Sequence, residues 1–222
     1  MAAFHLTYDL QLFGFLPPGT VSSGFWYVEA RLVAGSFLFF AGVSLWLAHG
    51  GGFRRAAFLR RLATIAAAAL AVTVATRIVL PGHFVYFGIL HSIATASVIG
   101  VLALRLPAPI NLALAALVLA LARIAPLPGF DHPAFWPTGL SRTYAAAVDY
   151  VPLVPWLAPF LAGLGLARIA GTAGLFGRLA RRPAPGPILA RLAWLGRHSL
   201  AVYLIHQPVL FGAVWLAARL RG

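Results

Sequence analysis

The chain consists of long apolar runs separated by short stretches that contain arginine and proline. A run of about 20 apolar residues crosses the hydrocarbon core of a bilayer as a helix, which satisfies its own backbone hydrogen bonds. Only 9% of the 222 residues are charged, so an ordinary soluble domain is excluded. The runs lie at about 2–16, 27–48, 62–80, 84–104, 110–124, 148–169 and 200–218. We therefore predict an all-α, polytopic transmembrane helical bundle of about seven spans, which forms a single membrane domain over residues 1–222.

Three of these runs carry features that modify the prediction. The first run begins abruptly at Met1 and is short for a span, so we expect the cytoplasmic end of the first helix to be truncated. The sixth run has Pro152, Pro155 and Pro159 in its first turns, which predicts a kink there. Pro208 predicts a second kink, in the seventh run.

The distribution of arginines favours one orientation of the spans. With seven spans, the richer side of the membrane carries Arg54, Arg55, Arg60, Arg61, Arg105, Arg168, Arg178, Arg181, Arg182, Arg191 and Arg197. The other side carries Arg142, Arg219 and Arg221, with Arg123 nearby. Because cytoplasmic loops are enriched in basic residues, we predict that the richer side is cytoplasmic and that the C-terminus is external.

The composition also excludes several kinds of chemistry. All 17 basic residues are arginines, which leaves no lysine for Schiff-base catalysis. The net charge of +13 comes from arginines that lie in short stretches between the apolar runs. This pattern is typical of membrane topology rather than of nucleic-acid binding. The chain has no cysteine, and its histidines lack the spacing of metal ligands, so we predict no metal site. It has no Walker A, dinucleotide-binding or G-x-S-x-G motif either.

His5 and Asp9 are the first candidate catalytic residues. Polar side chains are costly inside a span and usually face a cavity or a partner. Because the two residues are four positions apart, they lie on one helix face, about 6 Å apart along the axis. A carboxylate in this place orients an imidazole and stabilises its protonated form, which suits a general base. An ordinary interhelical hydrogen bond is the alternative explanation.

Two further groups of polar residues are predicted near the two membrane faces. The outer group predicts a polar cavity open to the outside and comprises Glu29, Arg31, Arg77, His91 and Asp149. The arginines of this group could instead pair with its carboxylates or extend to the membrane interface. The inner group predicts phosphate binding and comprises Arg61, Arg197, His198 and His206. Arginines are also common at cytoplasmic helix ends without any ligand, so a purely topological explanation stays open.

Five stretches of the sequence follow one another in a characteristic order. They extend from Met1 to Leu10, Arg31 to Ser44, Phe87 to Ala94, Asp149 to Trp156 and Leu195 to Pro208. In this order they resemble the bacterial branch of the heparan-alpha-glucosaminide N-acetyltransferase catalytic-domain family, within the transmembrane acyltransferase superfamily. The likeness covers nearly the whole chain.

The resemblance implies a transmembrane acyltransferase in a bacterial cytoplasmic membrane, surrounded by lipid and without a nucleic-acid partner. Such an enzyme takes an acyl group, typically acetyl, from cytoplasmic acyl-CoA and delivers it to a sugar amine or hydroxyl on the other side. In the wider superfamily the proposed catalytic histidine lies near the end of the first helix, after a segment that contains arginine. His5 occupies that place, and the missing arginine segment supports a truncated start. The loop histidine of the animal lysosomal enzyme has no counterpart between Pro17 and Trp26.

These observations lead to one main hypothesis for the function and two alternatives. Acyl transfer would use His5 as general base or transient acyl carrier, with Asp9 orienting its ring. In the same hypothesis Glu29, Arg31 and Asp149 would position the acceptor. His91 would line the path, and Arg197 and His198 would contact the CoA phosphates. A small-solute transporter or flippase-like protein would also explain a polar cavity and proline-interrupted helices, and a structural membrane subunit is the third reading. The sequence leaves the oligomeric state open.

Overall fold

The computed structural model describes residues 1–181 and 186–221. Within these ranges the regular structure is helical, apart from one isolated parallel bridge between Phe87 and Tyr150. The helices are α1 (Ala2–Leu12), α2 (Gly24–His49), α3 (Arg55–Val79), α4 (Ile89–Ala103), α5 (Ala108–Ile124), α6 (Leu153–Thr172), α7 (Leu175–Ala180), α8 (Pro187–Arg197) and α9 (Ser199–Leu220). Two 3₁₀ helices cover Thr20–Ser22 and Pro133–Thr138. The predicted all-α class is confirmed; Arg182, one of the arginines used to predict the orientation, lies outside the described residues.

Four of the described helices, α2, α3, α6 and α9, are long and apolar enough to cross a membrane. The apolar helices α4 and α5 are shorter, with 15 and 17 residues. Since several helices of this length and composition need a bilayer around them, the predicted polytopic membrane bundle is confirmed. The number of about seven spans stays a prediction.

Two helices begin later than the apolar runs indicated. Residues 84–88 are not helical, because the backbone there lies beside the segment before α6: the Val151 N–H donates to the Phe87 carbonyl over 3.0 Å. Helix α6 begins at Leu153, so Asp149 lies in the preceding loop and does not open the helix as predicted. Pro152 and Pro155 explain this late start, since a proline disfavours helical backbone in the residue before it. The predicted kink is confirmed at Val154, whose backbone is non-helical (φ −100°, ψ 120°).

Helices α7 and α8 lie in the segment that the sequence indicated only as a basic linker. The residues of α8 are exposed throughout, including the large apolar side chains of Ile188 and Leu192. Helix α8 passes directly into α9 at His198.

The chain divides into two compact units. The first comprises Met1–Ala34 together with Arg181–Gly222, and the second comprises Gly35–Ala180. In the first unit, α1 packs against α9 and against the 3₁₀ helix at Thr20–Ser22. The rings of Phe13 and Phe211 meet with their centroids 5.2 Å apart, and the Gln11 side-chain oxygen accepts a hydrogen bond from the Val21 N–H. Side chains of α1 and α9 therefore share one buried interface.

The second unit is built around α6, which packs against α4 and α5. Glycines allow a close approach between α6 and the end of α2 that belongs to this unit: a Cβ at Gly42 would collide with the Phe160 carbonyl, and one at Gly163 with the Phe39 carbonyl. The connection between α4 and α5 is held by polar side chains. Arg168 donates to the carbonyls of Leu104 and Leu106 over 3.1 and 2.9 Å, and the Asn111 amide donates to that of Ala103.

Candidate functional site

The interface between α1 and α9 contains a carboxylate that is fully buried. Asp9 is 0% exposed, and its Oδ1 accepts a hydrogen bond from the Gln207 amide over 3.1 Å. Its other oxygen, Oδ2, is buried and has no hydrogen-bond partner within the described residues. Burying a carboxylate among apolar helices is costly, so Asp9 is a candidate functional residue as well as an interhelical hydrogen-bond partner.

His206 lies beside Gln207 on α9, and its protonation pattern follows from its hydrogen bond. Its Nδ1 lies 3.1 Å from the Val202 carbonyl oxygen. A carbonyl oxygen only accepts hydrogen bonds, so Nδ1 carries the hydrogen and donates it. In the neutral ring Nε2 then holds a lone pair, and this buried atom has no partner in the described part of the chain.

His5 completes the group from α1. Its ring centroid lies 5.0 Å from that of His206, and the two ring planes meet at 58°. Phe4 and Tyr203 add aromatic contacts, each with a ring centroid 5.8 Å from that of the neighbouring histidine. We call His5, Asp9, His206 and Gln207 the interface cluster. Two imidazoles, a carboxylate and an amide at one buried place provide the groups that proton transfer needs.

This geometry differs from the prediction in two respects. The structure joins Asp9 to Gln207 of the facing helix and shows no hydrogen bond between Asp9 and His5, although side chains four residues apart on a helix are neighbours. His206, which was predicted to contact CoA, lies against His5, a contact that the sequence did not indicate. Along α9 it lies about 12 Å from His198, the distance expected for eight residues of helix.

Gln207 is the residue that sequence reasoning missed. It is an amide inside an apolar span and directly follows a histidine, which is the same kind of signal that drew attention to His5 and Asp9. Its partner lies 198 positions away in the sequence, so only the folded chain identifies it.

The predicted outer residues of the first unit have separate partners. The Glu29 carboxylate lies 2.7 Å from the amino group of Met1, and its Oε2 is buried without a partner among the described residues. The Arg31 guanidinium lies over the ring of Tyr27, 3.4 Å from its centroid. The alternative ion pair between Arg31 and Glu29 is therefore not formed in the structure.

In the second unit, Asp149 binds the start of α4. Its Oδ2 accepts a hydrogen bond from the Ile89 N–H over 2.8 Å, which satisfies one of the free donors at a helix N-terminus. A Cβ at position 88 would collide with this oxygen, so Gly88 is required for the contact. Burial raises the pKa of Asp149 to about 6, although the hydrogen bond from Ile89 acts in the opposite direction. The alternative ion pair with Arg77 is not formed, since that guanidinium lies 4.6 Å from the centroid of the Phe84 ring.

His91 uses both of its ring nitrogens close to the same helix start. Its Nδ1 accepts from the Gly88 N–H over 3.3 Å, and its Nε2 lies 3.3 Å from Thr73 Oγ1. The Thr73 hydroxyl donates to the Val85 carbonyl over 2.7 Å, so it accepts from the histidine. We call Thr73, Gly88, His91 and Asp149 the cap cluster, because these residues tie the loop before α4 to its first turn.

The predicted phosphate-binding residues are divided between the two units. Arg61 belongs to the second unit and lines an apolar recess with Leu45, Phe58, Leu62, Ile65 and Ser97. Arg197 is exposed at the end of α8. His198 stacks on Trp194 with ring centroids 4.4 Å apart, and its Nδ1 lies 2.9 Å from the carbonyl of that residue. No group of three metal-binding side chains occurs in the ranges that the structure describes.

Fold and site together define an integral membrane protein with a polar cluster between two of its helices. The family model described as heparan-alpha-glucosaminide N-acetyltransferase, catalytic, matches residues 1–208. The chain therefore belongs to this family of transmembrane acetyltransferases, and the match includes all four residues of the interface cluster. The predicted resemblance is confirmed for the family, whereas the bacterial branch stays a prediction. Neither a curated protein nor a solved structure matches the chain.

Proposed function

We propose that this protein transfers an acyl group, acetyl in the first instance, from acyl-CoA on the cytoplasmic side to an acceptor on the external side. The acceptor is a small glycan-like molecule with an amine or a hydroxyl. The observation that supports this proposal best is the interface cluster, a pair of half-buried histidines beside a fully buried carboxylate in a chain of this family. The arginine-rich loops set the cytoplasmic side, and the membrane is the cytoplasmic membrane of a bacterium.

His5 is the proposed reacting residue. An imidazole serves acyl transfer either as a general base or as a nucleophile that carries the acyl group for a time. His5 is suited to both roles, because its ring is half-buried and contacts a second imidazole. Asp9 supports the site as a buried negative charge, held by Gln207.

The remaining predicted residues receive roles according to their contacts. Glu29 has a buried, unpartnered carboxylate oxygen, which supports a role with Arg31 in acceptor binding. Bonds to backbone and ring contacts support a role in shaping the path for Arg77, His91 and Asp149. Guanidinium and imidazole groups bind phosphates through charge-assisted hydrogen bonds, so Arg61, Arg197 and His198 are the proposed CoA contacts.

The test is the release of thiol from acetyl-CoA by purified protein in proteoliposomes. We expect wild-type turnover that His5→Ala reduces about 10²–10⁴-fold, the range that acid–base groups typically contribute. His83→Ala is the matched control, because His83 is an exposed histidine outside every residue group discussed above. Full activity of His5→Ala would refute the role of that residue. Saturable solute uptake without acetyl-CoA binding would favour the transporter alternative instead.

A further inference from the structure

The interface cluster leaves three buried polar atoms without a partner among the described residues. They are Asp9 Oδ2, His206 Nε2 and Gln207 Oε1. The first is a carboxylate oxygen and the third an amide oxygen, so both only accept hydrogen bonds. The second also accepts, because the hydrogen of the His206 ring is on Nδ1. The cluster therefore offers hydrogen-bond acceptors and no free donor at these three positions.

An acyl transfer brings together two substrates, acyl-CoA and the acyl-accepting molecule. The three unpartnered atoms fit the second better than the first. Buried polar atoms are normally hydrogen-bonded, so these three atoms fit a ligand that supplies hydrogens. The reacting thioester of acyl-CoA presents only oxygen and sulfur acceptors, and the N–H and O–H donors of CoA lie in its pantetheine, ribose and adenine parts, away from the acyl carbon. An amine or a hydroxyl supplies N–H or O–H groups. The Gln207 amide cannot be turned to change this result, because its NH₂ group must face the Asp9 carboxylate.

We propose that Asp9, His206 and Gln207 bind the nucleophilic amine or hydroxyl of the acyl-accepting substrate through its own hydrogens, and that His206 Nε2 removes its proton. This inference rests on the proposed acyl transfer and gives His206 a catalytic role in place of the CoA contact expected from the sequence. Asp9 and Gln207 hold the same group on its other sides. The Val202 carbonyl acts as a positioning partner, since it keeps the hydrogen of the ring on Nδ1.

The proton transfer in this step needs only the substrate, His206 and the leaving atom. Before this step, an amine that binds as an ammonium releases one proton to water. The lone pair of the substrate nitrogen or oxygen then forms a bond to the acyl carbonyl carbon, and one remaining proton of that atom passes to His206 Nε2. The bond from that carbon to the leaving atom breaks, and the leaving atom takes the proton from His206. In direct transfer the leaving atom is the CoA sulfur, which becomes the thiol. If His5 carries the acyl group first, the leaving atom is its ring nitrogen, and the ring contact of His5 with His206 suits this proton transfer.

The protonation pattern is tested without any turnover. In full-length protein with ¹⁵N-labelled histidine side chains in detergent, the signals lost in His206→Ala belong to His206. We expect a non-protonated Nε2 and a protonated Nδ1 at neutral pH. A protonated Nε2 in the neutral ring would overturn the proposal. Because this measurement needs no substrate, it decides the fate of the inference even if the chain proves to have no transferase activity.

The catalytic role is tested with acetyl-CoA and two probes, glucosamine and glucose, in proteoliposomes. We expect His206→Ala to lower acetyl transfer at least 100-fold and added imidazole to restore part of it, while His83→Ala transfers at the wild-type rate. Transfer by His206→Ala within threefold of wild type would overturn the role as a base. A loss that imidazole does not restore, in a variant whose melting temperature is lowered, would also count against it.

Asp9→Asn distinguishes the two classes of acyl-accepting substrate. A carboxylate interacts more strongly with a cationic ammonium than with a neutral hydroxyl. If the substrate is an amine, the variant should raise KM for glucosamine about tenfold with a smaller change in kcat. An equal change in KM for glucosamine and glucose would support a hydroxyl substrate in the same place. No change in KM for either probe would show that the substrate does not bind at Asp9.

Discussion

The two compact units each place a histidine and an aspartate among apolar helices, but with opposite results. In the cap cluster, the Asp149 and His91 side chains bond to the backbone of residues 88 and 89 and to Thr73. In the interface cluster, Asp9 and His206 each make one bond to the protein and keep one buried atom without a partner among the described residues. The first arrangement stabilises a helix start, whereas the second leaves atoms available for a substrate.

This comparison separates two reasons for a polar residue in a membrane helix bundle. A side chain that forms the missing hydrogen bonds of the backbone lowers the free-energy cost of an interrupted helix or an irregular loop. A side chain with an unmatched buried atom raises the free energy of the folded protein unless a ligand supplies its partner. The same residue types thus serve architecture in one unit and, by our proposal, chemistry in the other.

The largest effect that tests this difference is expected for His206→Phe. Phenylalanine keeps a ring of similar size but removes both nitrogens, so acetyl transfer should fall at least 100-fold while the packing is largely kept. The melting temperature in detergent should stay within a few degrees of wild type, because only the bond to the Val202 carbonyl is lost. A variant that keeps its activity, or that melts far below wild type, would contradict the distinction between the clusters.

The second largest effect concerns Asp149 and pH. Burial raises the pKa of its carboxyl from 3.8 to about 6 in the folded protein, so ionisation is less favourable folded than unfolded. Its contribution to stability is therefore present below about pH 4 and is lost as the pH rises to about 6, by at most about 3 kcal/mol. In Asp149→Asn this part of the pH dependence should disappear. Melting temperatures of both proteins between pH 4 and 7 test this, and parallel curves would refute it.

A smaller effect is expected for Thr73→Val. The substitution removes the hydroxyl that donates to Val85 and accepts from His91, at similar side-chain volume. The free energy of unfolding should fall by about 1–3 kcal/mol, since buried partners are left unsatisfied. Acetyl transfer per folded molecule should be unchanged. Thr7→Val is a suitable comparison, because that hydroxyl bonds only the carbonyl one turn earlier in its own helix. A loss of activity at full stability would place Thr73 among the functional residues.

The smallest effect is expected for Arg77→Gln. Its guanidinium lies over the Phe84 ring, and an exposed contact of this kind contributes about 0.5–1 kcal/mol. We expect a shift in melting temperature of a few degrees at most, with transfer close to the wild-type rate, because Arg77 shapes the path through a ring contact and does not bind the substrate. A marked rise in KM for the acyl-accepting substrate would instead show that Arg77 binds it. Arg77 would then line the polar outer cavity that the sequence predicts.

Parts of both clusters could be predicted from the sequence. The four-residue spacing of His5 and Asp9 sets a common helix face, and the prolines around position 152 predicted a kink in α6. The position of Asp149 was predicted wrongly as the first turn of a helix, because hydropathy does not show where Pro152 and Pro155 delay its start. The bond between Asp9 and Gln207 could not be predicted, since nothing local relates residues on two different helices.

The sequence by itself determined that this is a membrane protein built from helices, which side chains share a helix face, and the family to which the chain belongs. These properties follow from hydropathy, from the 3.6-residue period and from motif order, all of which are local or additive along the chain. Only the tertiary structure decided which polar atoms are bonded and which are left without a partner. A hydrogen bond requires its two atoms within about 3 Å, and that distance is set by how one helix packs against another.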